Sequence, residues 1–150
     1  MFDNNVMPFS LEQLFHLDAA DPRTLHEQAA ELTRRRLLMA AMECFAQKGY
    51  QDASMREIAA GAGVTLGALY HHFSGKKDLL ITLTRLRQMR TNELIAAALA
   101  RESDFFEGLR AALQSQFRFL AANPLLRGLT REYMSMALVD ADVRAIHAQA

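Results

Sequence analysis

The chain has 150 residues, 51% of them hydrophobic and 23% charged, which suits one domain with a small appendage and excludes an intrinsically disordered chain. Its single cysteine, Cys44, excludes an intramolecular disulfide, and no apolar run approaches the roughly 18 residues of a membrane span, so a soluble cytoplasmic protein is expected. The formal net charge is zero but unevenly spread: residues 1–22 carry four acids and no Lys or Arg, residues 23–92 carry a net +5 and residues 93–150 a net −1, as for a polyanion-binding module joined to something else.

The opening MFDNNVMPF lacks the basic start and apolar stretch of a secretory signal. Ser10 and Gln13 form a capping box, with Phe9 and Leu14 placed for a hydrophobic staple, so a short helix is predicted from about Leu11 to Asp18, before Asp21-Pro22. Thr24 and Glu27 form a second box, opening a long helix whose inner stripe includes Leu37, Ala41, Cys44 and Phe45 and which stops at Lys48-Gly49. Cys44 on that stripe reads as a small core residue, not a nucleophile. Ser54 and Glu57 form a third box for a short helix through about Gly61. Gly63 breaks it, and Thr65 caps a second short helix running to Phe73.

Ser74 is expected to cap a long helix to about Ala100, with Leu79, Leu83 and Leu86 on one face. Lys76 and Lys77 then occupy its first turn, against the positive end of the helix dipole. Ser103 or Asp104 caps a further helix with Phe106, Leu109, Leu113, Phe117 and Leu120 on one face, read as core. Asn123-Pro124 separates it from another helix with Leu126, Leu129, Tyr133 and Met136 on one side, and Asp140 or Asp142 starts a last one. No segment alternates with period two, so the fold is expected to be all-α.

Two short helices joined by a tight turn, SMREIAAGAGVTLGALYHHF (residues 54–73), have the layout of a helix-turn-helix. Ala59 is small where the helices cross, and Gly63 supplies a left-handed backbone four residues on. Val64 and Leu69 fall where the second helix must enter the core beside Ile58. With each residue advancing 100°, Phe73 also points inward. Gly67 and His71 point nearly opposite, with Tyr70 and Ser74 on the flanks of that outer face. Such a face suits close approach to a major groove.

Residues 34–80, with Leu37-Leu38, Ala40-Ala41, Phe45, Gly49, Ile58-Ala59, Ala62-Gly63-Val64, Leu69-Tyr70, His72-Phe73 and Lys76, resemble the TetR family of bacterial transcriptional regulators. The resemblance implies a three-helix DNA-binding domain over residues 24–80, joined by a long fourth helix to a partial helical ligand-binding and dimerisation domain over residues 81–150. Residues 1–23 form an extension longer than the family commonly carries. It implies that Ser54 and Arg56 meet phosphates and that Thr65, Leu66, Gly67, Tyr70 and His71 face the groove, with Tyr70 and His72 also within reach of the backbone. Lys76 matches a phosphate-binding lysine, and Lys77 is a candidate to share that task. The Arg34-Arg35-Arg36 run reads as a solvated face or, near the DNA end of the first helix, as a phosphate contact, with Arg36 the candidate. The expected partners are duplex DNA with an inverted-repeat operator, a second copy of the chain, and a small apolar or amphipathic effector.

Eight methionines and the late aromatics read first as core. Phe117, Tyr133, Met134 and Met136 are the candidates for an adaptable effector cavity. Adjacent His71 and His72 diverge by 100° and have no Cys, Asp or Glu at i±4, so no metal site is predicted, nor any cofactor. GAGVTLG follows no strand and is not a phosphate loop, and no nucleophile–base spacing points to an enzyme. Family members continue for two further long helices beyond the point where this chain reaches Ala150. The alternative reading is therefore a truncated interaction protein that pairs with a full-length relative and binds no operator alone.

Overall fold

The computed structural model describes residues 24–145. They form α1 (Leu25–Lys48), α2 (Met55–Gly61), α3 (Leu66–His72), α4 (Lys76–Arg101), α5 (Phe105–Ala122), α6 (Pro124–Val139) and α7 (Ala141–Arg144), with no strand among them. The fold is all-α, as expected. The helix predicted over residues 11–18, with its capping box and staple, lies outside the described residues.

Local chemistry sets most of the boundaries. At Thr24 and at Ser54 both halves of the capping box form, the side chain accepting from the N3 amide while the Glu returns to the cap N–H. Asp104 caps α5 and Asp140 caps α7 in the same one-sided way, by accepting backbone N–H groups. Pro124 opens α6 at the position where a missing N–H costs nothing. The α4 start departs from expectation. Gly75, not Ser74, is its cap, and Ser74 donates both its N–H and its hydroxyl to the Asp78 carboxylate. The acid three residues into the helix replaces the serine as the acceptor.

One core runs from α1 through α4 and on to α6: Leu37, Ala41, Phe45, Ile58, Leu69, Phe73, Leu79, Leu80, Leu126 and Leu129 are all essentially inaccessible. Cys44 is only half-buried, at the edge of this core. A smaller cluster joins Tyr133 and Val143 to Ile81, Met136 and Ala137. α4, 26 residues and so about 39 Å long, spans both.

Of the stripe expected to be the core face of α5, Leu120 packs against the main core, but the other four residues form an outer face. Phe106 is 75% and Phe117 72% exposed, and Leu109 and Leu113 are also exposed. The buried face carries Gly108, Ala112 and Phe119. Small residues there let α4 come close: a Cβ on Gly108 would lie 3.3 Å from Leu99 Cδ2. Close helix approach has selected the small-residue side, leaving the bulky side uncovered.

Candidate nucleic-acid interface

The turn between α2 and α3 fixes everything that follows. Val64 N–H donates to Ala59 C=O and Gly63 N–H to Ala60 C=O, both at 3.0 Å, the paired bonds of a Schellman stop. Gly63 takes φ +66°, which a side chain disfavours. Its bare Cα has a second use, since an added Cβ would lie 3.0 Å from a terminal guanidinium nitrogen of Arg36. The arginine of α1 thus crosses directly over the turn. Arg36 is exposed and lines an open cleft between α1 and α2 with Leu32, Met39 and Glu43.

Ala59, Leu69 and Phe73 are buried as the helix-turn-helix reading requires, and Val64 is half-buried against the same core. With Leu69 and Phe73 held inward, α3 presents Thr65, Gly67, Tyr70 and His71 to solvent, Tyr70 at 53% exposure. Thr65 also spends its hydroxyl oxygen accepting the Ala68 N–H at 3.1 Å, which caps α3. A Cβ on Gly67 would meet nothing nearer than that hydroxyl at 3.9 Å, so the middle of the face is flat. Leu66 and His72 are half-buried at its edges. The His72 imidazole is pushed down from its ordinary range by burial, then by His71 and Arg34, which favours the neutral ring that can accept as well as donate. Arg34 is pinned 4.6 Å above the Phe73 ring and steadies the end of α3.

Ser54, already engaged in its capping box, is half-buried at the start of α2, and Arg56 beside it is exposed. Glu57 reaches across to Lys48, tying α2 back to the end of α1. No group of three or more His, Cys, Asp or Glu capable of holding a metal occurs among the described residues.

The two lysines of α4 have distinct surroundings that the sequence did not reveal. Lys76 Nζ donates to the carbonyls of Tyr50 and Gln51, each at 2.9 Å, and lies 4.9 Å from the Tyr50 ring centroid. The α1–α2 turn therefore offsets the cost of a cation at a helix N-terminus, and one of three ammonium protons remains for a phosphate. Lys77 lies 2.8 Å from both Asp140 and Asp142, which raise its ammonium to about 12. With two carboxylates already around it, Lys77 has no uncompensated charge for DNA, and its place is as a clamp between α4 and the α6–α7 joint.

That clamp is one of three ties by which α6 grips α1, the α1–α2 turn and the start of α4. Glu132 accepts the Tyr50 N–H at 2.7 Å, on the same turn that Lys76 holds. Gly128 packs on Ala46 of α1 so closely that a Cβ there would be 2.7 Å from the alanine's Cβ and 2.9 Å from its Cα. Of the four residues singled out for an effector, Tyr133 is buried and Met136 half-buried in the small cluster, whereas Phe117 and Met134 face solvent and are not brought to them.

Residues 37–83 match the family described as bacterial regulatory proteins, tetR family. The chain is 48% identical over 59 residues to the transcriptional regulator SrpR of Pseudomonas putida, a stretch covering 39% of this chain and 28% of that one. It is 38% identical over 87 residues to the transcriptional activator FasR of Mycolicibacterium smegmatis, covering 58% and 40% respectively. Among solved structures it is similar to the fatty acid degradation regulator FadR from Bacillus halodurans, with TM-score 0.67 and 30% identity over 76% of this chain and 61% of that one. The chain thus spans less than half the length of these two curated relatives.

Proposed function

We propose that this chain, whose residues 37–83 match the tetR family of bacterial regulatory proteins, reads a specific duplex DNA sequence through α3 as a homodimeric cytoplasmic repressor, released by a small apolar or amphipathic effector. The observation that carries this reading is the two-sided character of α3. Leu69 and Phe73 anchor one side, while Thr65, Gly67, Tyr70 and His71 form a flat, polar, exposed outer side. Residues with donors and acceptors around a flat glycine centre suit base edges in a major groove. Arg36, Arg56 and the remaining Lys76 proton supply the phosphate contacts flanking it.

Release follows from the three ties of α6. An effector favouring a displaced α6 would pull on the Tyr50 turn through Glu132 and on the start of α4 through Lys77. DNA affinity then falls by the effector's differential binding energy between the two arrangements. Repression is the simplest sign, because a bound dimer occludes its operator.

Selection from a random duplex pool with the purified chain tests this. Enrichment of an inverted repeat with half-sites about 34 Å apart is the expected outcome. Enrichment of a single half-site would leave the reader intact and remove the homodimer. If folded protein enriches nothing, the interaction-protein alternative takes over. One observation favours that alternative, namely the uncovered apolar stripe of α5, which is available for burial against further polypeptide.

A further inference from the structure

Three polar side chains on α4 stand out because they are buried and unsatisfied. Thr84 is fully buried, Arg87 is 8% exposed and Gln88 is half-buried. Their positions i, i+3 and i+4 set them on one helix face. The Thr84 hydroxyl, the Arg87 Nε and the Gln88 Oε1 are each shielded from solvent without a hydrogen-bond partner among the described residues. Buried polar groups are almost always paired, and a buried cation most of all.

No carboxylate is among the groups that act on Arg87, and the acids of α6, its C-terminal cap and the next turns of α4 are engaged elsewhere. Glu132 is held by the Tyr50 N–H, Asp140 by Lys77, and Glu93 by Arg90. Burial pulls the Arg87 guanidinium below its usual range, and the one ionisable neighbour opposing that is the phenol of Tyr133 on α6, a poor counter-ion at neutral pH. Sequence reasoning passed over the site because arginine on a helix normally reads as surface.

We propose that Thr84, Arg87 and Gln88 form the head-group site for a small carboxylate-bearing amphiphile, the effector of the regulatory reading above, on which this assignment rests. One carboxylate oxygen accepts the Arg87 Nε–H, and the Thr84 hydroxyl donates to the carboxylate. Gln88, whose amide oxygen and nitrogen exchange by a flip, offers its NH2 to the second oxygen. A single positive charge balances a monoanion. A phosphate dianion would leave excess negative charge in an apolar setting. The surroundings are apolar, since Tyr133 packs with Val143, Ile81 and Met136, so the body attached to the carboxylate is apolar too. Tyr133 lies on the helix that carries Gly128 and Glu132, so a ligand seated here touches the element that grips α1, the α1–α2 turn and the start of α4.

Titration calorimetry on the DNA-free chain with decanoate, decanol and acetate tests the assignment. Decanoate is expected to bind about tenfold or more tightly than decanol, because a charge-assisted pair is lost in the alcohol, and acetate to bind far more weakly than decanoate. The Arg87→Met chain is expected to stay folded and to bind decanoate and decanol within about twofold of each other, since removing an unpaired buried charge is neutral or stabilising. Thr84→Val, which keeps the charge and shape, is expected to weaken decanoate alone. Equal binding of decanoate and decanol by the wild-type chain overturns the proposal, as does acetate binding as tightly as decanoate, which would make the site one for a bare anion. A lowered unfolding temperature in Arg87→Met would also overturn it, by exposing a protein partner for Arg87. Because no DNA is present, failure here leaves the operator reading standing. Failed operator selection with intact decanoate binding would remove that reading and keep the site.

Discussion

Replacing Gly128 with alanine tests how tightly α6 is coupled to α1. The new methyl carbon would lie 2.7 Å from Ala46 Cβ and 2.9 Å from Ala46 Cα, against an ordinary carbon–carbon contact of about 3.5–4.0 Å. Neither neighbour is the far end of a flexible side chain, so the helices must separate by roughly 1 Å, and overpacking of this kind costs about 1–3 kcal/mol. Alanine returns up to about 1 kcal/mol in helix propensity, leaving a net loss of about 1–2 kcal/mol. At about 2–4 °C per kcal/mol for a chain of this size, that is a Tm lower by roughly 3–6 °C. The same separation would stretch the Glu132–Tyr50 hydrogen bond, now 2.7 Å, beyond bonding range. Urea unfolding and duplex binding should be measured together on Gly128→Ala, Ala46→Gly and the double variant. The double variant should recover part of the loss, with a coupling energy above about 0.5 kcal/mol. A Gly128→Ala chain as stable as wild type, or strictly additive variants, would refute the close crossing.

Lys76→Ala should weaken binding to every duplex alike and flatten the dependence of log affinity on log salt by roughly one unit; a loss with the slope unchanged would assign Lys76 to holding the Tyr50–Gln51 turn alone. Tyr70→Ala should change base preference in the selected sites, whereas a uniform loss would make it a backbone contact. Gly63→Ala forces a side chain into φ +66° and against Arg36, so it should cost about 1–2 kcal/mol in urea unfolding, and a neutral result would contradict the Schellman stop. The Lys77–Asp140 tie gives a pH signature. Lys77, held first by Asp140, lowers that carboxyl below its usual range, so the stabilisation is present above the unfolded carboxylate pKa of about 3.9 and is lost as pH falls through the folded value. The raised lysine gives the opposite edge, stabilisation retained through neutral pH and lost as pH rises through about 12. Wild type and Lys77→Met should therefore differ in thermal stability at pH 7, the difference shrinking as pH falls through the lowered folded value of Asp140, and a difference that stays constant as the acid is protonated would exclude the ion pair as its cause.

What could be read in the sequence was local. The boxes at Thr24–Glu27 and Ser54–Glu57 use residues three apart, and the Gly63 turn uses neighbours, so both emerge from spacing alone. The outward set of α3 followed from the inward direction of Leu69. What could not be read depends on partners distant in sequence. Lys76 finds carbonyls 25 and 26 residues away, and Lys77 finds a carboxylate 65 residues away, so their roles diverge although the residues are adjacent. At Ser74 a competing acceptor, Asp78, overrode a plausible cap. On α5 the apolar period named a face that needs burial but not what buries it, and Gly108 and Ala112 decided which side met α4.

The bulky face of α5 also governs how molecules of this chain behave toward one another in bulk solution. Its phenylalanines and leucines offer short-range attraction, and a formal net charge of zero at pH 7 provides no long-range repulsion to oppose it. Colloidal stability is thus low at neutrality. Added salt does little to screen an attraction of apolar origin, whereas moving to more acidic pH gives the chain a net positive charge that keeps the particles dispersed.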